Sequence, residues 1–300
     1  MSPLRRRLQA LLMVAPPIVV VAVFIGFPVI AAVLYTLGYT GGPNSVVALL
    51  AQHQNTVSGV SPTTATYREV FTSSSFLQNL IATVWVTAVT ITIVLALSWG
   101  IALYLRLTGS RLAKIVSALA VIPLFIPVVI ASYSILTFYE ATGFIRSLGN
   151  HLGWDSTPTL GYTLGAVVIG EIWVNLPFGV LMMSSGLNGV PNSLIEAARD
   201  SGASMVRTTV SILVPMTMIP SVIVATFTGI YVLGSFTVPY LTGPSAPNLL
   251  GPAMNNTFSS FNEPQQAEVM AVAVFLLAAG IGSAYVWANL RAAKQSGTLR

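Results

Sequence analysis

The chain has no cysteine in its 300 residues. Disulfides, thiolate nucleophiles and cysteine metal sites are excluded. Charge is also scarce. Asp, Glu, Lys and Arg make up 7% of the residues, whereas soluble domains carry about 25%. With 54% hydrophobic residues, this is the composition of an integral membrane protein, its apolar surface facing lipid or other helices. The two lysines, Lys114 and Lys294, precede Ile115 and Gln295, and neither follows glycine. A phosphate-binding loop ending in Gly-Lys-Ser/Thr is absent, so any coupling to ATP comes from a partner. The two histidines, His53 and His151, fall in loop-like segments without the further ligands that zinc needs. A Gly-x-Ser-x-Gly nucleophile elbow is missing as well.

What is present is long apolar runs. They predict six membrane spans, at about 11–37, 79–105, 115–138, 160–187, 210–241 and 267–290. The first follows Arg5, Arg6 and Arg7 and is far longer than the ~7–15 apolar residues of a signal peptide, so it reads as an uncleaved helix. Pro16, Pro17 and Pro28 are tolerated breaks within it. Pro123 and Pro127 should kink the third span. Residues 38–76, 139–159 and 242–266 read as irregular loops on one side, with Trp154 available as an interfacial anchor. No internal repeat stands out, and the whole chain, 1–300, is expected to form one domain.

Six spans put both termini on one side. Of the 13 Lys and Arg, only Arg68 and Arg146 lie opposite; Arg5, Arg6, Arg7, Arg106, Arg111, Lys114, Arg199, Arg207, Arg291, Lys294 and Arg300 share the terminal side. By the positive-inside rule that side is cytoplasmic. Ser2, Ser110, Ser204 and Ser296 are expected there. The formal charge of +5 is thus explained by topology, and nucleic acid is not an expected partner.

Between the fourth and fifth spans lies a polar island, 188–209. Pro191 suits the first turn of a helix, and Gly202 the left-handed residue just past its end. Leu194, Ala197, Ala198 and Ser201 recur at helical spacing and predict a small, apolar face, with Glu196, Arg199 and Asp200 pointing elsewhere. About ten residues make a helix only ~15 Å long, too short to span a bilayer.

Glu196-Ala197-Ala198, three residues, Gly202, nine residues, Ile212, and Val214-Pro215 resemble the EAA loop of membrane subunits of binding-protein-dependent ABC importers. The departure is Val214, where the family has Leu. The resemblance implies a type I importer permease fold, all-α with six transmembrane helices. It implies that Glu196, Ala197, Ala198, Asp200, Gly202 and Pro215 form a coupling element for ABC ATPase subunits, which would bind the ATP and magnesium. No cofactor is implied for this chain itself. A second permease subunit, homologous or identical, and an external solute-binding protein complete the implied assembly. Its place is the plasma membrane of a bacterium or archaeon, with the chain in contact with the lipid bilayer.

Two further stretches bear on the solute. Glu171 lies mid-span in Gly170-Glu171-Ile172-Trp173-Val174-Asn175-Leu176-Pro177-Phe178, where a carboxyl group is costly unless it faces protein or water. It reads either as a path-lining group for a cation or as a structural residue near the Pro177 break. Leu233-Gly234-Ser235-Phe236-Thr237-Val238-Pro239-Tyr240-Leu241-Thr242-Gly243-Pro244 breaks the fifth span near its outer end. Phe236, Pro239 and Tyr240 there read as a gate beside the path or as a helix end. The wording of this stretch is similar to spermidine/putrescine-type permeases, which implies a small organic cation. External Glu69, Glu140, Asp155, Glu263 and Glu268 against two basic residues point the same way. A sugar, iron or phosphonate is the alternative solute. An ion-coupled secondary transporter is the alternative class, for which only Glu171 qualifies as an intramembrane ionisable residue.

Overall fold

A computed structural model describes residues 3–57, 61–154 and 156–295. Ser2, Ser296, Arg300 and Asp155, used above for topology and charge, lie outside the described residues. In chain order the α-helices are α1 (Pro3–Val21), α2 (Phe27–Thr36), α3 (Ser45–Ala48), α4 (Ala65–Thr72), α5 (Ser74–Thr108) and α6 (Arg111–Leu119). Then come α7 (Val128–Tyr139), α8 (Phe144–His151), α9 (Leu164–Asn188), α10 (Asn192–Asp200) and α11 (Met205–Thr208). The last are α12 (Val214–Met216), α13 (Met218–Leu233), α14 (Thr237–Thr242), α15 (Leu250–Ser259) and α16 (Pro264–Gln295).

Five stretches are long and apolar enough to cross a membrane: Leu12–Thr36, Ser74–Thr108, Val128–His151, Leu164–Asn188 and Pro264–Trp287. A sixth is the bent pair Met205–Met216 and Met218–Leu233, whose halves meet at 65°.

Proline explains most of the irregularity. Its ring clashes with the carbonyl four residues earlier and it has no N–H to donate. Pro123 sits four after Leu119, where α6 ends, and Pro220 sits four after Met216, where α12 ends. Pro28 and Pro215 are accommodated differently. Each follows a π-helical turn, Ala22–Gly26 and Thr209–Leu213. The residue just before each proline, Phe27 or Val214, donates its N–H five residues back, to Ala22 or Thr209. The widened turn makes room for the ring.

These breaks correct four expected spans. The third is not a kinked helix over 115–138. Ile126, forced out of the helical region by Pro127, is extended at φ −106°, and the long apolar stretch begins at Val128. The fourth begins at Leu164, not 160, because the Thr163 hydroxyl caps it by accepting from the Ala166 N–H. The fifth bends at Thr217 and stops at Leu233, short of 241. The second extends to Thr108. All three expected irregular loops also contain helix: α3 and α4 lie within 38–76, α8 within 139–159 and α15 within 242–266.

The chain packs as two compact units. One takes the chain up to Phe76 together with Met254–Ala273; the other takes Leu77–Ala253 and the chain from Val274 onward. In the first, Gln265 is buried and organises the segment after α3. Its amide nitrogen donates to the carbonyls of Tyr35 and Asn55, and its oxygen accepts from the Asn55 N–H and the Thr66 hydroxyl. The second is a bundle of α5, α9 and α13 with apolar clusters toward both ends. Val94, Met183, Leu187, Leu213 and Val224 form one, and Val86, Val167, Val232, Val238 and Leu249 the other. Beside the first cluster the Trp99 indole donates to Ser221 Oγ at 3.0 Å.

Candidate functional site: a rigid helical corner and a buried carboxyl

The helix of the polar island ends just before Gly202 as expected, whereas Pro191 stands just before the helix and not in its first turn. Pro191 precedes α10 in an extended conformation, φ −59° and ψ 135°. At the other end Gly202 takes φ +80°. Its N–H donates to the Arg199 carbonyl at 2.8 Å, and the Ala203 N–H reaches back to Ala198 at 2.9 Å. That pair of bonds is a Schellman cap, which satisfies carbonyls left open at a helix end. Immediately beyond, Ser204 Oγ accepts from the Arg207 N–H and caps α11. The corner from 191 to 204 is therefore rigid by local hydrogen bonding.

Two contacts hold α10 on the second unit. Ile195 is the one buried residue of the helix and joins the cluster of Met183, Leu187 and Leu213. At the end of α5, Arg106 donates from Nε to the Leu187 carbonyl at 3.1 Å, and from Nη2 to the Val190 carbonyl at 2.8 Å and to Asn192 Oδ1. Neither residue stood out in the sequence. The expected apolar face needs a matching correction. Leu194, Ala197 and Ser201 are exposed and Ala198 half-buried, because Ile195 is the side chain that reaches the core. Glu196 and Asp200 are exposed as well, so everything except the Ile195 edge is open to a partner. Pro215 lies in α12, two residues before Thr217, where the 65° bend falls.

At the other end, α13 stops at Leu233 and α14 starts at Thr237. Ser235, in the break, donates its hydroxyl to Glu171 Oε1 of α9. Glu171 is 0% exposed, and its Oε2 has no hydrogen-bond partner among the described residues. Gly170 lets α14 approach: a Cβ there would sit 2.5 Å from Val238 Cγ1. A pocket of about 300 Å³ opens beside the break, between Val128, Tyr231, Ser235, Phe236 and Thr237. Ser235 stands between this pocket and the carboxyl group. Phe236 and Tyr240 stack with ring centres 4.9 Å apart and stay half-exposed, whereas Pro239 is buried. The structure thus brings Glu171 together with Ser235, and Phe236 with Tyr240, but not the carboxyl group with the aromatic pair. In the sequence Ser235 is only one residue of the break; its pairing with a residue 64 positions away has no local mark. Among the described residues no three His, Asp or Glu gather as a metal site.

Fold and corner together define an α-helical membrane protein with a capped, largely exposed helix between two crossings. The profile of the binding-protein-dependent transport system inner membrane components matches residues 88–295, and the chain belongs to that family. It is 34% identical over 163 residues to the trehalose transport system permease protein SugA of Mycobacterium tuberculosis; the match spans 53% of this chain and 51% of that relative, about half its length. It is 27% identical over 170 residues to the spermidine/putrescine permease PotB of Escherichia coli K12, 56% and 62% of the two chains. The sulfoquinovosyl glycerol permease SmoG of Agrobacterium fabrum is 27% identical over 93% of this chain and 90% of its own. In fold, the chain is similar to the bacterial alginate ABC transporter solved in complex with its alginate pentasaccharide-bound periplasmic protein. The TM-score is 0.73 at 16% identity, covering 95% and 94% of the chains.

Proposed function

We propose that this chain is a membrane-spanning permease subunit of an ATP-driven importer, and that its whole length works as one permease domain. The observation that carries the reading is α10. It is anchored by Ile195 and Arg106, capped at Gly202, and presents Leu194, Glu196, Ala197 and Asp200 outward. A helix held in this way transmits a push instead of absorbing it. In this reading ABC ATPase subunits, which bind ATP and magnesium, seat on α10. Their closure moves α11 and α12, and the 65° bend at Thr217 passes the motion into α13. Pro215 belongs to that lever. A second permease subunit, identical or homologous, completes the pore, and an external binding protein delivers the solute. Both termini and α10 face the cytoplasm of a bacterial or archaeal cell, as the 11-to-2 division of Lys and Arg supports. The test is copurification. An ATPase subunit should come down with the full chain, and stimulation of its activity by a loaded binding protein should need α10. A chain that imports solute alone, driven by an ion gradient, would overturn the reading.

For the solute, the geometry favours a neutral, hydroxyl-rich molecule over a cation. Full burial removes Glu171 as an accessible counter-charge, and the pocket beside it has no charged lining residue. The stacked Phe236 and Tyr240 offer an aromatic face to sugar C–H groups. The names of SugA and SmoG support this direction. A cation is the second reading, supported by the name of PotB and by the attraction such a face holds for ammonium groups. Uptake of labelled disaccharide and labelled spermidine separates them. Saturable uptake of the disaccharide alone supports the first, and of spermidine alone the second.

A further inference from the structure

Between α2 and α4, in the first unit, an apolar turn is held out from the protein. Val46, Leu49 and Leu50 are 69%, 85% and 59% exposed. The turn is pinned on both sides. Asn44 is nearly buried, and its amide donates to the carbonyls of Ala31 at 2.9 Å and Tyr39 at 3.0 Å. After the turn, the Gln52 N–H donates to the Asn262 carbonyl at 2.8 Å. The three side chains therefore project from a fixed support and cannot fold back to bury themselves.

The Ala31 bond sets the depth. Ala31 lies five residues before Thr36, where α2 ends, so the turn is tied to the crossing helix about 7.5 Å below its end. At that level α2 presents Ile30 and Leu34, both well exposed and apolar like the side chains of the turn. Charge points the same way. Between Arg7 and Arg68 the chain contains no Asp, Glu, Lys or Arg. A surface built to meet a soluble protein uses charge for steering and register, and this one has none. A surface built to enter the boundary between headgroups and acyl chains is apolar and uncharged at its tip.

We propose that Val46, Leu49 and Leu50 form a foot inserted in the lipid leaflet at the far end of the first crossing, in contact with acyl chains. The foot fixes the height of α2 in the bilayer. The claim that this is the outer leaflet rests on the topology proposed above; contact with lipid does not, so the two can fail separately.

The chain's lack of cysteine makes the test direct. Val46→Cys, Leu49→Cys and Leu50→Cys, each in the full chain, are spin-labelled and reconstituted in phosphatidylcholine–phosphatidylglycerol vesicles. Thr64→Cys, an exposed position outside the turn, is the reference. Collision with oxygen, which concentrates in lipid, is compared with collision with a water-soluble nickel chelate. The expected result is an oxygen-to-nickel ratio severalfold above the Thr64→Cys value at all three sites. A ratio equal to that reference would mean water and would overturn the proposal. Low collision with both reagents would mean that a protein surface, a second copy or a binding protein, covers the turn, and would overturn it too.

Discussion

Arg106, the last basic residue of α5, and Val190, in the corner before α10, are joined by a 2.8 Å hydrogen bond from guanidinium to carbonyl. The contact links the second crossing to the helix proposed to meet the ATPase. It also places a cation over the carboxyl end of α9, where the open carbonyls carry partial negative charge.

Replacing Arg106 by Ala should loosen the corner without altering the fold of the bundle. A hydrogen bond from a charged donor contributes about 1.5–3 kcal/mol, and Arg106 makes three such contacts. Amide exchange across residues 188–203 should rise by about tenfold or more for a loss of that size, and coupled ATPase activity should fall. Arg106→Lys keeps the charge but not the fork, so it should recover only part. Unchanged exchange in Arg106→Ala would remove the residue from the coupling path.

Gly202 tests the cap separately from sterics. Nothing lies within 4 Å of where its Cβ would be, so the cost of a side chain is conformational. At φ +80° a non-glycine residue loses about 1–2 kcal/mol, less for Asn and more for a β-branched residue. Gly202→Val should assemble yet lose stimulation of ATPase activity by the loaded binding protein, and Gly202→Asn should keep most of it. Equal activity in the two variants would show that the Schellman cap does not matter to coupling.

What was legible in the sequence was local. Pro191 and Gly202 bound α10 because capping is decided within a few residues. The same locality marked the disruption at Pro123 and Pro127, but it missed the bend before Pro220 and expected a break at Pro177, through which α9 runs on. The consequence of each proline was not visible. Pro123 and Pro127 end a helix instead of kinking it, whereas Pro28 and Pro215 are absorbed in π turns, and that choice depends on packing. The contacts that orient the site, Arg106 with Val190 and Glu171 with Ser235, join positions 84 and 64 apart. No periodicity reports such pairs. Ile195 shows the limit within one helix. The 194/197/198/201 stripe is apolar, but Ile195 beside it took the core position, in one cluster with Leu213 and Val190.

Gly186 allows α9 to lie against α13 beside the bend. A Cβ there would come within 2.5 Å of Pro220 Cγ. Gly186→Ala should therefore destabilise the chain by about 1–3 kcal/mol through overpacking. Gly280→Ala, in α16 with nothing within 4 Å, should instead gain about 0.5–1 kcal/mol from helix propensity. Thermal unfolding of the purified protein reads both. A shift of the same sign in the two would mean that the α9–α13 contact is not tight.

The topology has a similar handle. Ser110 and Ser204 cap α6 and α11, so cysteine there would disturb the helices it reports on. Val206 is 73% exposed and caps nothing. In intact cells Val206→Cys should resist an impermeant thiol reagent and react after permeabilisation, whereas Thr64→Cys should react at once. Labelling of Val206→Cys from outside would reverse the proposed orientation of α10.

The carboxyl group of Glu171 gives the sharpest test of the solute. It is fully buried, and its one hydrogen-bond donor is Ser235, at the break where α13 gives way to α14. A buried polar group that loses its partner costs about 1–3 kcal/mol. Ser235→Ala should therefore lower the yield and thermal stability of the protein by that amount, and Glu171→Leu should remove the dependence, because nothing is left to satisfy. The double variant should then be no less stable than Glu171→Leu alone, which a double-mutant cycle measures directly. On the neutral-solute reading, Glu171→Gln reduces the amount of assembled complex and leaves uptake per complex unchanged, since the carboxyl group never meets the solute. On the cation reading, opening of the Ser235 break exposes Glu171 to the pocket during the cycle. Glu171→Gln then slows spermidine uptake several-fold while assembly and basal ATPase activity stay normal. The full burial of Glu171 favours the first outcome; normal yield with slowed cation uptake would overturn it and make Ser235 the lid of a binding site.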